Sequence, residues 1–482
     1  MTAAQASAGP NVALVAMPPK RRRTELSMLA FAVVVTIFAY ANVGLGVDGK
    51  ITSGAFGYGF AFAGLLLVAH FTVRRLAPWS DPLMLPLAAI LNGLGLAMIH
   101  RLQLASEAHL MPGNTLASSA TNTQLMWSAF GIVGFIAVLV FVREVRVLQR
   151  YTYTFGIIGL VLLAIPALLP SSMSAINGAK VWILIGGFSL QPGEFAKLLI
   201  AVFFAGYLVV KRDVLALAGR QVLGIDLPRA RDLGPVLVAW AASLMILIFE
   251  SDVGTSAMFF GLFVAMIYIA TQRTSWLLIG LLLFLFGVLV TAGLFSHVGA
   301  RFDIWLHTFS PANINCNPAT QTNCAPSYQL AQGVYGMGSG GIIGRGWGQG
   351  QPYVTPLAQS DFIVSAFGEE LGVTGLMAIL LVYGLIVQRG LRAALTVRDP
   401  FSKLLAGGLS FVLGLQVFVI VGGVTRLIPL TGITTPFLSQ GGSSLVASWM
   451  LIALLMRISD SARRPAPQPI QDEGMTQVVR VP

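Results

Sequence analysis

Charge is scarce in this chain of 482 residues: Asp, Glu, Lys and Arg together make up 10% of it, while 56% is hydrophobic and the mean hydropathy is +0.79. Soluble domains carry about 25% charged residues. So little polar surface excludes a water-soluble globule, although the length alone is that of about three domains. Acids are scarcer than bases, 19 against 30, for a net charge of +11. In a soluble chain that excess points to nucleic acid; here the basic residues punctuate apolar runs, so they read as topology signals and nucleic acid is not an expected partner. Cysteine is almost missing. Cys316 and Cys324 are the only two, and without a CxxC pair or a cluster among the five histidines a structural zinc site is excluded. No Ser-His-Asp or Cys-His set marks a nucleophile, and no internal repeat supports a transporter built from inverted halves.

What is present is a succession of apolar runs. A helix crosses the bilayer core with about 20 residues. Runs of that order lie near 27–46, 55–73, 83–100, 125–142, 153–170, 191–210, 234–249, 256–271, 275–295, 361–387, 404–424 and 440–456. The expected fold class is therefore all-α, a polytopic membrane helix bundle of about twelve transmembrane helices over 27–457. The first run follows a basic stretch, as a signal peptide would, but its length and the lack of a small-residue cleavage site make it an uncleaved first span. The flanking tails, 1–26 and 458–482, are rich in Pro, Ala, Gln and charge, a composition that predicts disorder.

Orientation follows from Lys and Arg, which favour the cytoplasmic side. Arg23, Arg75, Arg150, Arg231, Arg273 and Arg398 mark successive segments on one side, joined by the C-terminal Arg457, Arg463 and Arg464. The opposite loops hold only Lys50, Arg101, Lys180, Arg301, Arg345 and Arg426. Both termini are thus expected in the cytoplasm, and the longest loop, 296–360, outside it.

Ionisable groups within or beside spans are costly and mark functional hypotheses. Glu194 and Lys197 stand three apart on one helical face, placed either to pair two helices or to serve a substrate groove. Asp252 falls at a Gly-containing break, and Asp361, Glu369 and Glu370 lead into a span from the outer side. In the long loop, Gly336 to Gly350 is Gly-rich and carries Arg345; Gly336, Gly338 and Gly341 satisfy GxGxxG formally, but no strand-and-helix context or downstream acid supports a dinucleotide fold. Two readings stay open, a pyrophosphate cradle of backbone N–H groups and plain flexibility. Cys316 and Cys324 lie in the same loop on the oxidising side, where a disulfide is expected. On the chain-entropy model that bridge contributes roughly 2.5 kcal/mol.

The stretches Asn177-Gly-Ala-Lys-Val-Trp182 and Phe188-Ser-Leu-Gln-Pro-Gly-Glu-Phe-Ala-Lys197 resemble the SEDS proteins (shape, elongation, division and sporulation). So do Asp252-Val-Gly-Thr255, Tyr328-Gln329, Ser360-Asp-Phe-Ile363, Gly368-Glu-Glu-Leu-Gly372 and Pro436-Phe-Leu-Ser-Gln-Gly-Gly-Ser-Ser444, in the family's order over about 83–457. The extra N-terminal pair of spans and Val421 to Gly432 are most similar to the family's actinobacterial RodA branch. The resemblance implies a peptidoglycan glycosyltransferase of the bacterial plasma membrane. Its substrate is lipid II, an undecaprenyl-pyrophosphate-linked disaccharide peptide, polymerised at the outer face in elongation, cell shape and division. It also implies a class B penicillin-binding protein as partner. Such chemistry needs a carboxylate base near the acceptor hydroxyl. It also needs cationic groups or a divalent cation, Mg or Mn, at the departing pyrophosphate.

One departure from the family pattern bears on the site. The family's catalytic aspartate follows a Trp in the long loop, in a run like Trp-x-Asp-Pro…Asp-Pro-x-Gly-x-Gly-Tyr-Gln; here His307-Thr308 and Pro311 follow Trp305, and the cysteine-bearing insertion comes next. Asp303 is the only acid between 296 and 360 and becomes the candidate catalytic base, with Asp361 or Glu369 as alternatives. Arg301, Arg345, Lys197, Glu194, Asp252, Asp361, Glu369 and Glu370 are the candidate substrate-binding residues. Two other functions compete with polymerisation: a non-catalytic scaffold that activates the penicillin-binding protein, and a lipid II flippase.

Overall fold

The computed structural model describes residues 22–51, 54–108, 116–215 except 118, 177–178 and 186–187, 252–311 and 327–465, together with scattered positions between 218 and 246. Eleven helices among the described residues are long and apolar enough to cross a membrane. In chain order the first six are α1 (Arg22–Asp48), α2 (Gly54–Leu76), α3 (Met84–Glu107), α4 (Ala120–Phe141), α5 (Thr152–Leu168) and α6 (Pro192–Leu215). After a gap come α7 (Val253–Thr271) and α8 (Ser275–Leu294), and then two short helices that do not span, α9 (Ser296–Leu306) and α10 (Ser327–Gly340). The bundle ends with α11 (Ile363–Thr396), α12 (Pro400–Val424) and α13 (Gly442–Arg463). Half of the expected span 234–249, together with Cys316 and Cys324, lies outside the described residues.

Apolar side chains face two different solvents here. α3 and α13 are buried on nearly every face and form the centre of the bundle, as expected of helices that are hydrophobic all round. α8 is the opposite case, with Leu281, Leu285 and Leu289 all exposed; in a membrane those faces meet lipid tails. Because lipid is as apolar as leucine, helices there associate through close packing at small residues. Gly93 of α3 accordingly lies against Thr36 of α1, and Gly131 of α4 against Trp449 of α13.

The helices alternate in direction on either side of the gap between α6 and α7, so the connections gather at two ends. At the tail end, where α1 begins and α13 finishes, buried charges tie the helices together. Arg22 donates to the carbonyls of Pro78 and Ser80, and Arg457 donates to those of Val142 and Leu139. Asp81 pairs with Arg463, and Asp460 accepts from the Trp79 amide. The other, loop end carries the described segments 295–311 and 327–362 and the connection 425–441.

The segment expected as one long loop is largely ordered structure, and the following span is broken. The 34 residues of α11 would measure about 51 Å as a straight helix, well beyond a bilayer core of about 30 Å. They contain a break at Gly372, with φ 68° and ψ −173°. Only glycine adopts that backbone readily. Residues 363–371 are thus a buried half-helix ahead of the span proper, not its outer end. The break frees the Glu369 and Glu370 carbonyls, and in a buried setting they require donors. The Gly-rich segment supplies them: the Arg345 and Gly346 amides donate to Glu369 and Glu370, while Val373 and Thr374 donate back to Gly341 and Ile342.

Small β-hairpins also occur in an otherwise helical chain. β1 (Ala175–Ile176) pairs antiparallel with β2 (Ala179–Lys180), and β3 (Ile183–Ile185) with β4 (Phe188–Leu190). β5 (Ala218–Val222) and β6 (Ile225–Pro228) form a third pair. Asn177-Gly178 and Gly186-Gly187 separate the first two pairs, dipeptides that suit two-residue hairpin connections.

Candidate functional site

The end of the connection between α12 and α13 and the first turn of α13, Leu430 to Ser444, touch several polar groups of the loop end. The Arg301 Nη1 donates to the Leu430 carbonyl at 2.9 Å. Gly432 holds φ 76°, and a Cβ built on it would lie 3.7 Å from Asp361 Oδ2 and 3.8 Å from Arg301 Nη1. Ile433 packs on Gly254. The Thr434 carbonyl accepts from Gln416 Nε2 at 3.0 Å, and Gln440 N donates to the Gln359 carbonyl at 2.8 Å. The Ser439 hydroxyl donates to the Ser360 carbonyl at 2.6 Å, and the Gln191 amide donates to the Ser443 hydroxyl at 3.1 Å. Glycines and hydroxyl residues dominate this run because the backbone, not bulk, makes the contacts.

Around this turn three charged groups converge. Asp252 caps α7, accepting from the Thr255 amide at 3.0 Å and from its hydroxyl; a carboxylate there is favoured by the helix dipole. Arg301 comes from α9 and Asp361 from the approach to α11. Burial pushes the Asp252 carboxyl up, against the Thr255 hydrogen bonds and the Arg301 charge. Burial likewise pushes Asp361 up to about 6; the Ser360 side chain and Arg301 oppose the rise, and Asp252 adds to it. An acid–arginine–acid group with one carboxyl poised near neutrality suits proton transfer beside a site for anionic charge.

The other sequence candidates are distributed differently. Asp303 is two residues from Arg301 on α9, hence about 200° around the helix. It points away, with its side chain 69% exposed and its carboxylate 2.8 Å from His307 Nδ1. Glu194 and Lys197 do pair, both buried, and Lys197 Nζ also donates to Gln416 Oε1 at 2.9 Å. Through Gln416 that intramembrane pair reaches Thr434. Glu369 and Glu370 belong to the break: Glu369 accepts from the Gln351 amide at 2.7 Å, and Glu370 pairs with Arg101 at 2.9 Å. Arg101 donates further to the Gly350 carbonyl at 2.8 Å. Arg345 is exposed, and the amides of Gly344, Arg345 and Gly346 are all engaged within the chain.

Several residues were not among the sequence candidates. Gln416 is a lone polar group in an apolar run, and Arg101 follows the end of the expected span 83–100. Five buried polar atoms, Gln124 Oε1, Gln359 Oε1, Thr434 Oγ1, Thr435 Oγ1 and Ser444 Oγ, have no hydrogen-bond partner among the described residues. Unpaired buried polar groups are costly, and here they line one connection. Among the described residues no three His, Cys, Asp or Glu side chains converge on a metal position. An apolar groove of about 550 Å³ runs between α5, α6 and α7, lined by Tyr153, Leu160, Ile200, Phe203, Phe259 and Phe263 among others.

Residues 81–464 match the FtsW/RodA/SpoVE family of cell cycle proteins. The peptidoglycan glycosyltransferase RodA of Mycobacterium tuberculosis (strain ATCC 25618 / H37Rv) is 47% identical over 461 residues, covering 94% of each chain. That of Mycobacterium leprae (strain TN) is 45% identical over 447 residues, 93% of this chain and 92% of its own. Stage V sporulation protein E of Bacillus subtilis (strain 168) is 31% identical over 307 residues, 62% of this chain and 77% of its own. A chain from a structure of a peptidoglycan synthase complex, 22% identical, superposes with a TM-score of 0.51 over 84% of this chain and 98% of that one, a likeness of fold.

Proposed function

Because the chain belongs to the FtsW/RodA/SpoVE family, we propose that it is a peptidoglycan glycosyltransferase that polymerises lipid II at the outer face of the plasma membrane. Its mycobacterial relatives bear that enzyme name over nearly their whole length. The convergence of Asp252, Arg301 and Asp361 on the Leu430–Ile433 turn is the observation that carries the site. A sugar hydroxyl gives its proton to the Asp361 carboxylate and attacks the anomeric carbon. The bond from that carbon to the pyrophosphate oxygen breaks, and Arg301 meets the charge that develops on the leaving group. Asp252 keeps Asp361 basic enough to accept the proton. The unpaired hydroxyls of Thr434, Thr435 and Ser444 receive polar groups of the sugar–peptide, and the groove between α5, α6 and α7 takes the polyprenyl chain.

The Arg and Lys distribution supports a cytoplasmic tail end and an external loop end. A divalent cation here would be held by Asp252 or Asp361 together with substrate phosphates, the usual pattern for Mg²⁺, and would stabilise the departing charge. The partner is a class B penicillin-binding protein, a reading supported by the likeness to a chain of a synthase complex.

The test is lipid II polymerisation by the purified chain with its class B partner, comparing wild type, Asp361→Asn and Asp303→Asn. Removing a general base costs roughly 10²–10⁴-fold, and that loss is expected for Asp361→Asn alone. Loss confined to Asp303→Asn would move the base to α9. Inactive wild type with partner binding intact would sink the polymerase reading and favour the scaffold.

A further inference from the structure

A second pocket lies at the tail end, remote from the polar turn. It has a volume of about 260 Å³ between the last turns of α11 and α13, and Arg392, Ala393, Thr396, Ser459, Ala462 and Arg463 line it. We propose that it binds the phosphodiester headgroup of an anionic membrane lipid.

Three observations carry this. The first is charge. Arg392 and Arg463 line the pocket, and Arg389 and Arg464 stand beside it on two acids, Asp81 and Asp460. Asp81 is shared by Arg463 and, at 3.8 Å, by Arg389, whose buried Nε has no partner. Arg392 is exposed and forms no ion pair among the described residues. Guanidinium groups bind phosphate oxygens with two parallel N–H donors.

The second observation is space: Ala393 and Ala462 leave room between two helix ends that Leu or Lys would fill. The third is depth. Leu391 and Leu395 are exposed at helical spacing with Met377 and Leu381, so the apolar face of α11 reaches the turn that carries Arg392. Acyl chains have a surface beside the pocket, and that favours a lipid over a free phosphate. Basic pockets between helix ends are a recognised setting for anionic headgroups.

The experiment is native mass spectrometry of the full chain released from nanodiscs of mixed phosphatidylglycerol and phosphatidylcholine. Wild type is expected to retain phosphatidylglycerol selectively. Each surface arginine contributes about 1 kcal/mol to such binding, so Arg392→Ala lowers retention about fivefold. Arg392→Glu lowers it further, and Arg392→Lys keeps most of it. Equal retention by wild type and Arg392→Glu, with both monodisperse, overturns the proposal. So does displacement of the lipid by equimolar glycerol phosphate, because the pocket would then recognise a soluble anion.

Discussion

Asp361 gives the site a pH dependence whose sign is fixed by its surroundings. Its pKa is raised from the ordinary carboxylate range to about 6, so the folded chain holds this proton more tightly than the unfolded chain. The group's contribution to stability therefore declines as pH climbs from about 4 to about 6. Polymerisation should rise as the pH passes through about 6 and the basic form appears, which puts the acidic limb there. Asp252→Asn, which keeps a capping side chain but removes a like charge, should move that limb to lower pH; Arg301→Gln should move it higher. A pH–rate profile of the three proteins checks this, and an unmoved limb would show that another group titrates. The Glu194–Lys197 pair has a different signature. Breaking a buried pair from one side costs about 3–5 kcal/mol, so Lys197→Met should lower the melting temperature in detergent strongly. The double change Glu194→Gln with Lys197→Met should recover part of the loss.

Among the elements, the broken α11 and the Gly-rich strap act as one unit. The strap amides satisfy carbonyls that the break at Gly372 releases, and Arg101 of α3 anchors both by pairing with Glu370 and holding Gly350. A Cβ at Gly372 would sit 2.3 Å from the Gly344 amide nitrogen, at a φ that side chains avoid. Gly372→Ala should thus cost at least the roughly 1–3 kcal/mol of such backbone strain. It should also free the strap, read as faster hydrogen exchange at the Arg345 and Gly346 amides. Unchanged exchange there would mean that the strap is held from elsewhere. The run of glycines was visible in the sequence as a feature near Arg345, but its role was not. Which carbonyls those amides would meet depends on a half-helix folded back from residues far along the chain.

For the whole molecule, charge distribution and burial describe one arrangement: a membrane bundle centred on α3 and α13, pinned by arginines at the tail end and polar at the loop end. Tags placed at both termini of the chain in intact cells should be protected from added protease, whereas a tag inserted after Ser310 should be cleaved. Cleavage at either terminus would reverse the topology.

The sequence by itself determined the environment and the spans, because hydropathy over about 20 residues is a local property set by the bilayer's thickness. It determined the family too, through short ordered signatures from Asn177 to Ser444, and it marked Asp252, Asp303, Asp361, Glu369 and Glu370 as candidates. Tertiary structure alone decided which of those acids share a site. Asp252, Arg301 and Asp361 come from three separate segments and meet only because the Leu430–Ile433 turn brings α7, α9 and the approach to α11 together. Asp303, two residues from Arg301 in the chain, is directed the other way by two helical steps of about 100° each. Its being the only acid of the long loop placed it first; the rotation of a helical backbone placed it with His307.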